Sequence, residues 1–273
     1  MTSAGGTAGA HSLGGAAAAE RAPAGQDVLD RCRLRFVEGL RVVVVAGIAG
    51  GVVLVGFGSR LAMFLLRLTS TDRAHGVESD DGFTIGRVTL GGTYNLLLIG
   101  AAVGMIGAGA YLAVSPRLIG PMWFRRATTG LAAGAVGGAM LVHADGIDFT
   151  LLGPTWFAIA LFVALPAVFG TFIGPVVDSV RRPDSWTRRR TWRWLLPIVA
   201  IICFPPTVVV AVMAAFVLGV WIFVTEIPTI HRLRATAAYV FATRAMWLAI
   251  AVFGLAALLG DVHAVFEANA GAG

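Results

Sequence analysis

Roughly seven long apolar runs divide this chain, and the loops between them carry charges that are nearly all arginine. A run of about 20 apolar residues is what an α-helix needs to cross ~30 Å of hydrocarbon. In lipid only helices and closed barrels satisfy every backbone polar group. Barrel strands would show strict apolar–polar alternation, and these runs do not. The pattern therefore predicts an all-α polytopic transmembrane bundle, with about seven membrane helices or five plus a re-entrant hairpin. Composition agrees where it matters. Only 13% of residues are charged and 57% are hydrophobic, with mean hydropathy +0.81. A soluble domain usually carries about a quarter charged residues.

The runs cover about 42–66, 94–114, 127–142, 155–177, 194–224 and 238–259. Residues 1–35 read as a disordered, Ala/Gly-rich cytoplasmic tail. They lack the basic segment and apolar core of a signal peptide. Residues 36–262 form a single helical transmembrane domain, and 263–273 a short outer C-terminal tail. The stretch 194–224 is long for one span and short for two. Pro205 and Pro206 near its middle remove two backbone donors and mark a helix break. It is two crossings, a re-entrant hairpin, or one kinked helix. The positive-inside rule favours the hairpin, because it keeps Arg232, Arg234 and Arg244 with the other inner arginines. The expected setting is a bacterial plasma membrane, with the N-terminus cytoplasmic and the C-terminus outside.

Glycines recur four apart at Gly47/Gly51, Gly100/Gly104, Gly130/Gly134/Gly138 and Gly170/Gly174. Small residues at this spacing let helix backbones approach closely. They predict a compact packing of the first four spans, and also offer faces to a membrane protein partner. The run Gly58-Ser59-Arg60-Leu61-Ala62-Met63, the segment Asp81-Gly82-Phe83-Thr84 and the stretch from His143 to Phe149 resemble a family of multi-spanning actinobacterial membrane proteins. The resemblance covers about half of the chain. That family has no established activity, so the resemblance implies a fold and no chemistry.

Few residues carry chemistry. Arg60 sits about 19 residues into the first span, where an unpaired charge is expensive, and Arg67 follows at i+7. Either both snorkel to the outer headgroups, or Arg60 faces the bundle and binds an anion or forms a salt bridge. His143, Asp145, Asp148, Asp261 and His263 are expected at the outer face and are the weak catalytic candidates. Their spacing matches no metal motif, so no metal is expected. The loop with Arg181, Arg182, Trp186, Arg188, Arg189, Arg190, Trp192, Arg193 and Trp194 interleaves three tryptophans with six arginines. Tryptophan prefers the headgroup level and arginine attracts anionic lipid, so this is a lipid-interface anchor. Nucleic acid is not the expected partner, because both ends of the loop are tethered to spans. Cys32 and Cys203 are expected at different depths, which argues against a disulfide.

The sequence carries no phosphate-binding glycine loop, nucleophile elbow, HExxH or CxxC, and no cofactor is expected. The leading expectation is binding or transport of a lipophilic or anionic small molecule, with Arg60 as the anion-binding group. The alternatives are an accessory or scaffold subunit of a membrane complex, and a membrane enzyme with an outer-face His/Asp site.

Overall fold

The computed structural model of the chain describes residues 24–69, 89–143, 154–185, 187, 205–226 and 228–271. Helix α1 (Ala24–Gly50) continues without a break through a π-helical segment (Gly51–Phe57) into α2 (Gly58–Thr69). Helix α3 (Leu90–Val114), α4 (Met122–Leu141) and α5 (Thr155–Arg181) follow. The chain ends with α6 (Pro205–Glu226), the short α7 (Pro228–Arg234) and α8 (Ala237–Gly271). No strand occurs among the described residues. Among the described residues five helical stretches are long and apolar enough to cross a membrane: Leu29–Thr69, Leu90–Arg117, Thr155–Arg181, Val208–Thr225 and Ala237–Ala270. The expected helical membrane bundle is what forms.

The helix boundaries have local causes. Thr89 caps α3, its hydroxyl accepting from the Gly92 N–H at 3.1 Å, which satisfies one of the orphan donors of the first turn. Pro121 and Pro154 precede α4 and α5. The turn from α3 to α4 passes through Gly120 at φ 91°, a conformation that side chains with a Cβ rarely adopt. Pro205 and Pro206 are the first described residues of α6; residues 188–204, on the other side of the expected helix break, lie outside the described residues.

Two boundaries extend beyond the sequence expectation. Helix α1 is already formed at Ala24, the first described residue, inside the 1–35 tail expected to lack structure. Helix α8 runs to Gly271, through the expected outer tail. In α8 the reason is anchoring. Val265 is fully buried with Val142 and Leu66, and the Asn269 amide donates to the Thr155 hydroxyl at 3.3 Å.

The packing follows the glycines. Facing α3, a Cβ added to Gly47 would lie 2.5 Å from the Met105 Cα, and one added to Gly104 would lie 2.5 Å from the Gly51 Cα. Facing α5, a Cβ on Gly134 would lie 2.9 Å from the Ala167 Cβ, and one on Gly170 would lie 2.6 Å from the Thr129 carbonyl oxygen. Both helix pairs run antiparallel, and the glycine faces are filled within the chain. Helix α8 lies along α4, with Gly254 against Val136 and Gly138 against Leu258. Helix α6 runs antiparallel to α1, with Gly219 by Phe36 and Gly39 by Leu218. Further along, Val210, Ala211 and Ala214 join the cluster of Val43, Ile48 and Met105. At ~1.5 Å per residue this register brings the start of α6 about level with the π-helical segment. From Pro205 onward α6 covers the N-terminal half of the α1–α2 rod.

One end of the bundle collects the starts of α1, α4 and α8 and the ends of α3, α5 and α6. It carries Arg31, Arg33, Arg35, Arg41, Arg117, Arg125, Arg126, Arg181, Arg182, Arg232, Arg234 and Arg244. The opposite end carries Arg67 among the described residues, with Arg60 further inside.

Candidate functional site

A cleft of about 1120 Å³ opens between α1, α3 and α6. Its lining residues among those described lie in the arginine-rich half of the bundle. Its walls are apolar: Val42 and Val43 from α1, Met105 and Ile106 from α3, Met213 and Val217 from α6. Its polar residues gather at one end, where Arg35, Glu38 and Arg181 meet Trp221. The volume lies just above the ~300–1,000 Å³ typical of ligand pockets. Two small residues of α3, Gly109 and Ala110, form part of the wall. A Cβ added at Gly109 meets no atom within 4 Å. This glycine therefore faces open space, unlike Gly100 and Gly104 on the same helix.

The polar end is held by one side chain. Arg41 is 18% exposed, and its Nη2 donates to the Glu38 carboxylate at 2.6 Å. Nη2 also donates to the Val180 carbonyl at 3.3 Å, and Nη1 to the Thr187 hydroxyl at 2.9 Å. Thr187 and Ser185 are buried and hydrogen-bond each other at 3.0 Å. The planar guanidinium serves several acceptors at fixed angles. It ties α1 to the end of α5. Nearby, the Arg234 guanidinium stacks 5.0 Å over the Trp221 ring, a cation–π contact. Arg117 lies 5.8 Å over Tyr239, and the Arg244 Nε donates to the Arg117 carbonyl at 3.2 Å. These contacts bind the start of α8 to the same end.

Of the residues singled out from the sequence, Arg181 lines the cleft, and the other described ones are placed elsewhere. Arg60 lies in α2, half-buried, with its Nε and Nη2 atoms closed off from solvent. It sits about 13 Å short of the end of α2 at ~1.5 Å per residue. Arg67 is exposed one turn from that end. His143 is exposed just beyond α4, Asp261 is half-buried and His263 is exposed. The three share the end opposite the arginine cluster. The His263 Nε2 lies 3.1 Å from the Glu267 carboxylate, its neighbour one turn on. Among the described residues no three His, Cys, Asp or Glu side chains could hold a metal ion. Asp145 and Asp148 lie outside the described residues. So do Cys203, Trp186, Arg188, Arg189, Arg190, Trp192, Arg193 and Trp194 of the expected interface loop. Arg181 and Arg182 are exposed.

Sequence reasoning missed the cleft. The i,i+3 pair Glu38/Arg41 was legible, but its link to Thr187 spans 146 positions and has no sequence signal. Gly109 was hidden among packing glycines that look alike in sequence.

The long apolar helices and their glycine-packed core define the chain as an integral membrane protein of the helical-bundle class. Comparisons with protein-family models, with curated proteins and with solved structures find no match.

Proposed function

We propose that the protein binds, and in that sense handles or transports, a lipophilic small molecule with an anionic group, using the cleft between α1, α3 and α6. The observation that carries this reading is the cleft itself: a large, mostly apolar groove whose charged lining residues among those described, Arg35, Glu38 and Arg181, stand at one end. A molecule with the same division of character fits it in one orientation. The arginine asymmetry of the two ends supports the N-terminus and this polar end facing the cytoplasm, with the C-terminus outside. The resemblance to actinobacterial membrane proteins supports a bacterial plasma membrane.

The test is to fill the cleft from its empty wall. Gly109→Phe projects a ring into open space, whereas Gly109→Ala leaves most of the volume free. Lipophiles that co-purify with the protein, counted by mass spectrometry of the folded complex, should fall at least tenfold in Gly109→Phe and stay unchanged in Gly109→Ala. Equal occupancy in both would remove the cleft as the binding site.

A second reading, an accessory or scaffold subunit, has its own support in α8. That helix contacts α4 along one side only and exposes Phe241, Leu248, Val252 and Phe253. A detergent-stable complex formed through α8, lost on Val252→Arg, would favour it.

A further inference from the structure

We infer that the turn between α3 and α4, together with the first turns of α8, docks a phospholipid of net negative charge, its headgroup held by Arg117 and Arg244. Neither arginine lines the cleft, so the inference stands apart from the reading of the cleft as a lipophile site.

The site is built around the end of α3. The chain leaves that helix through a tight turn at Ser115–Arg117 and enters α4 at Met122. The last carbonyls of a helix carry partial negative charge and lack donors within the helix. Arginines from α4 and α8 supply them. The Arg125 Nη2 donates to the Ser115 carbonyl at 3.0 Å, and the Arg244 Nε to the Arg117 carbonyl at 3.2 Å. The Arg117 guanidinium lies 5.8 Å over the Tyr239 ring, which fixes its position. Among the described residues, neither the N–H groups of Arg117 nor the Nη groups of Arg244 make a hydrogen bond. Helices α4 and α8 run parallel, with Gly254 against Val136 and Gly138 against Leu258. Carried back along the pair, that register sets Arg244 about level with Phe124, Arg125 and Arg126. Arg117, Arg125, Arg126 and Arg244 thus gather at one turn, and none has a carboxylate within ion-pair distance among the described residues. Asp178 of α5 shares the surroundings of the Tyr111 hydroxyl with Arg125, Arg126 and Arg181, and offsets one charge of the set at most. The repulsion that remains is relieved by an anion.

Two observations make lipid the source of that anion. Beside the arginines the same turn exposes Ile119, Met122 and Trp123, with the Trp123 ring edge-on to Phe124 at 5.7 Å. Apolar side chains set among cations suit a bilayer surface, and tryptophan prefers the headgroup level. A soluble polyanion would meet the arginines and leave those side chains in water. The depth agrees, because the membrane-length stretch that contains α3 ends at Arg117. Phosphate alone does not discriminate here, since zwitterionic phospholipids carry one too. Net charge does. Choline would bring a cation among guanidinium groups with no carboxylate to receive it, whereas glycerol brings none. Each arginine near the membrane surface contributes a several-fold preference for a net negative lipid. Arg117 and Arg244 together, partly screened, predict about tenfold.

The experiment titrates the purified full-length chain in detergent with phosphatidylglycerol or phosphatidylcholine of the same acyl chains, and counts bound lipid by native mass spectrometry. Phosphatidylglycerol is expected to fill its tightest site at about one tenth the concentration that phosphatidylcholine needs. Arg117→Gln with Arg244→Gln should bring the two lipids within about twofold of each other. Arg33→Gln with Arg182→Gln removes as much charge from the same end of the bundle and should leave the preference unchanged. In the unaltered protein, phosphatidylglycerol with a photoactivatable headgroup should crosslink to residues 117–126 and 237–244. Equal affinity for the two lipids overturns the inference. An equal loss in both double variants also overturns it, because the preference would then belong to the whole arginine-rich face. Crosslinks that map instead to the loop 181–194 assign the lipid there, a result that stands even if the Arg117/Arg244 double variant fails to fold. A poly-glutamate peptide that binds more tightly than phosphatidylglycerol would make an acidic protein segment the partner and overturn the lipid.

Discussion

Replacing Gly104 by alanine tests whether backbone contact between α1 and α3 holds the bundle together. The new Cβ would lie 2.5 Å from the Gly51 Cα and closer still to the Gly47 carbonyl oxygen. Ordinary contact begins at 3.4 Å, so the first gap is short by 3.4 − 2.5 = 0.9 Å. Both opposing groups are backbone, and neither can turn aside as a flexible side chain would. Overpacking costs ~1–3 kcal/mol, and a clash of this kind belongs at about 3. Alanine is favoured over glycine within a helix by ~1 kcal/mol, so the net loss is about 2 kcal/mol. Gly109, five residues along the same helix, meets nothing within 4 Å. Gly109→Ala keeps only the favourable term and should gain about 1 kcal/mol. The two variants should therefore differ by ~3 kcal/mol, with the helix-propensity term common to both. Unfolding in mixed micelles, titrated with a denaturing detergent, measures the difference directly. If Gly104→Ala proves as stable as Gly109→Ala, the close approach of α1 and α3 is not what stabilises this half of the fold.

Three further outcomes are expected. Arg41→Gln should speed amide exchange at Ser185 and Thr187 and cost ~1–3 kcal/mol, because it strips charge-assisted hydrogen bonds from partly buried partners. Arg41→Lys should recover only part of that loss, since an ammonium lacks the planar fork. Gly254→Val should detach α8, because a Cβ there already lies 3.0 Å from the Val136 Cα; proteolysis within α8 should rise while the α1–α3 contact, read by cysteine cross-linking, stays intact. His263→Ala should change stability by less than ~0.5 kcal/mol, because the His263–Glu267 pair is largely exposed and such pairs contribute little.

The fold was largely legible because its causes are local. Apolar length announces a membrane helix residue by residue, and a glycine pair four apart marks a face regardless of its partner. The pairs Gly47/Gly51 and Gly100/Gly104 were visible in this way, although not that each would receive the other. The candidate site was not legible, because a cleft is made of space. Nothing in the sequence separates Gly109, which faces a void, from Gly104, which touches a backbone. Arg60 drew attention because a charge in an apolar run is locally anomalous. Arg35 did not, and Arg181 stood out only as part of the lipid-interface loop, because arginines at span ends are ordinary until their helices place them along one cleft.

The π-helical segment has a consequence for the kinds of mutation this chain tolerates. Residues 51–57 wind more widely than an α-helix, so α1 and α2 share an axis but not a phase. The first presents its small residues to α3, while the second sets Leu66 against Ala158 and Ile159. A π-helical segment holds about one residue more than α-helical winding needs between the same two phases. Losing one residue from it would let the segment close into α-helix and leave Leu66 among α5 and α8. A deletion inside α1 or α2 would instead turn everything beyond it by roughly 100° and draw it in by about 1.5 Å. The segment is thus the place along the rod where the loss of a single residue is absorbed.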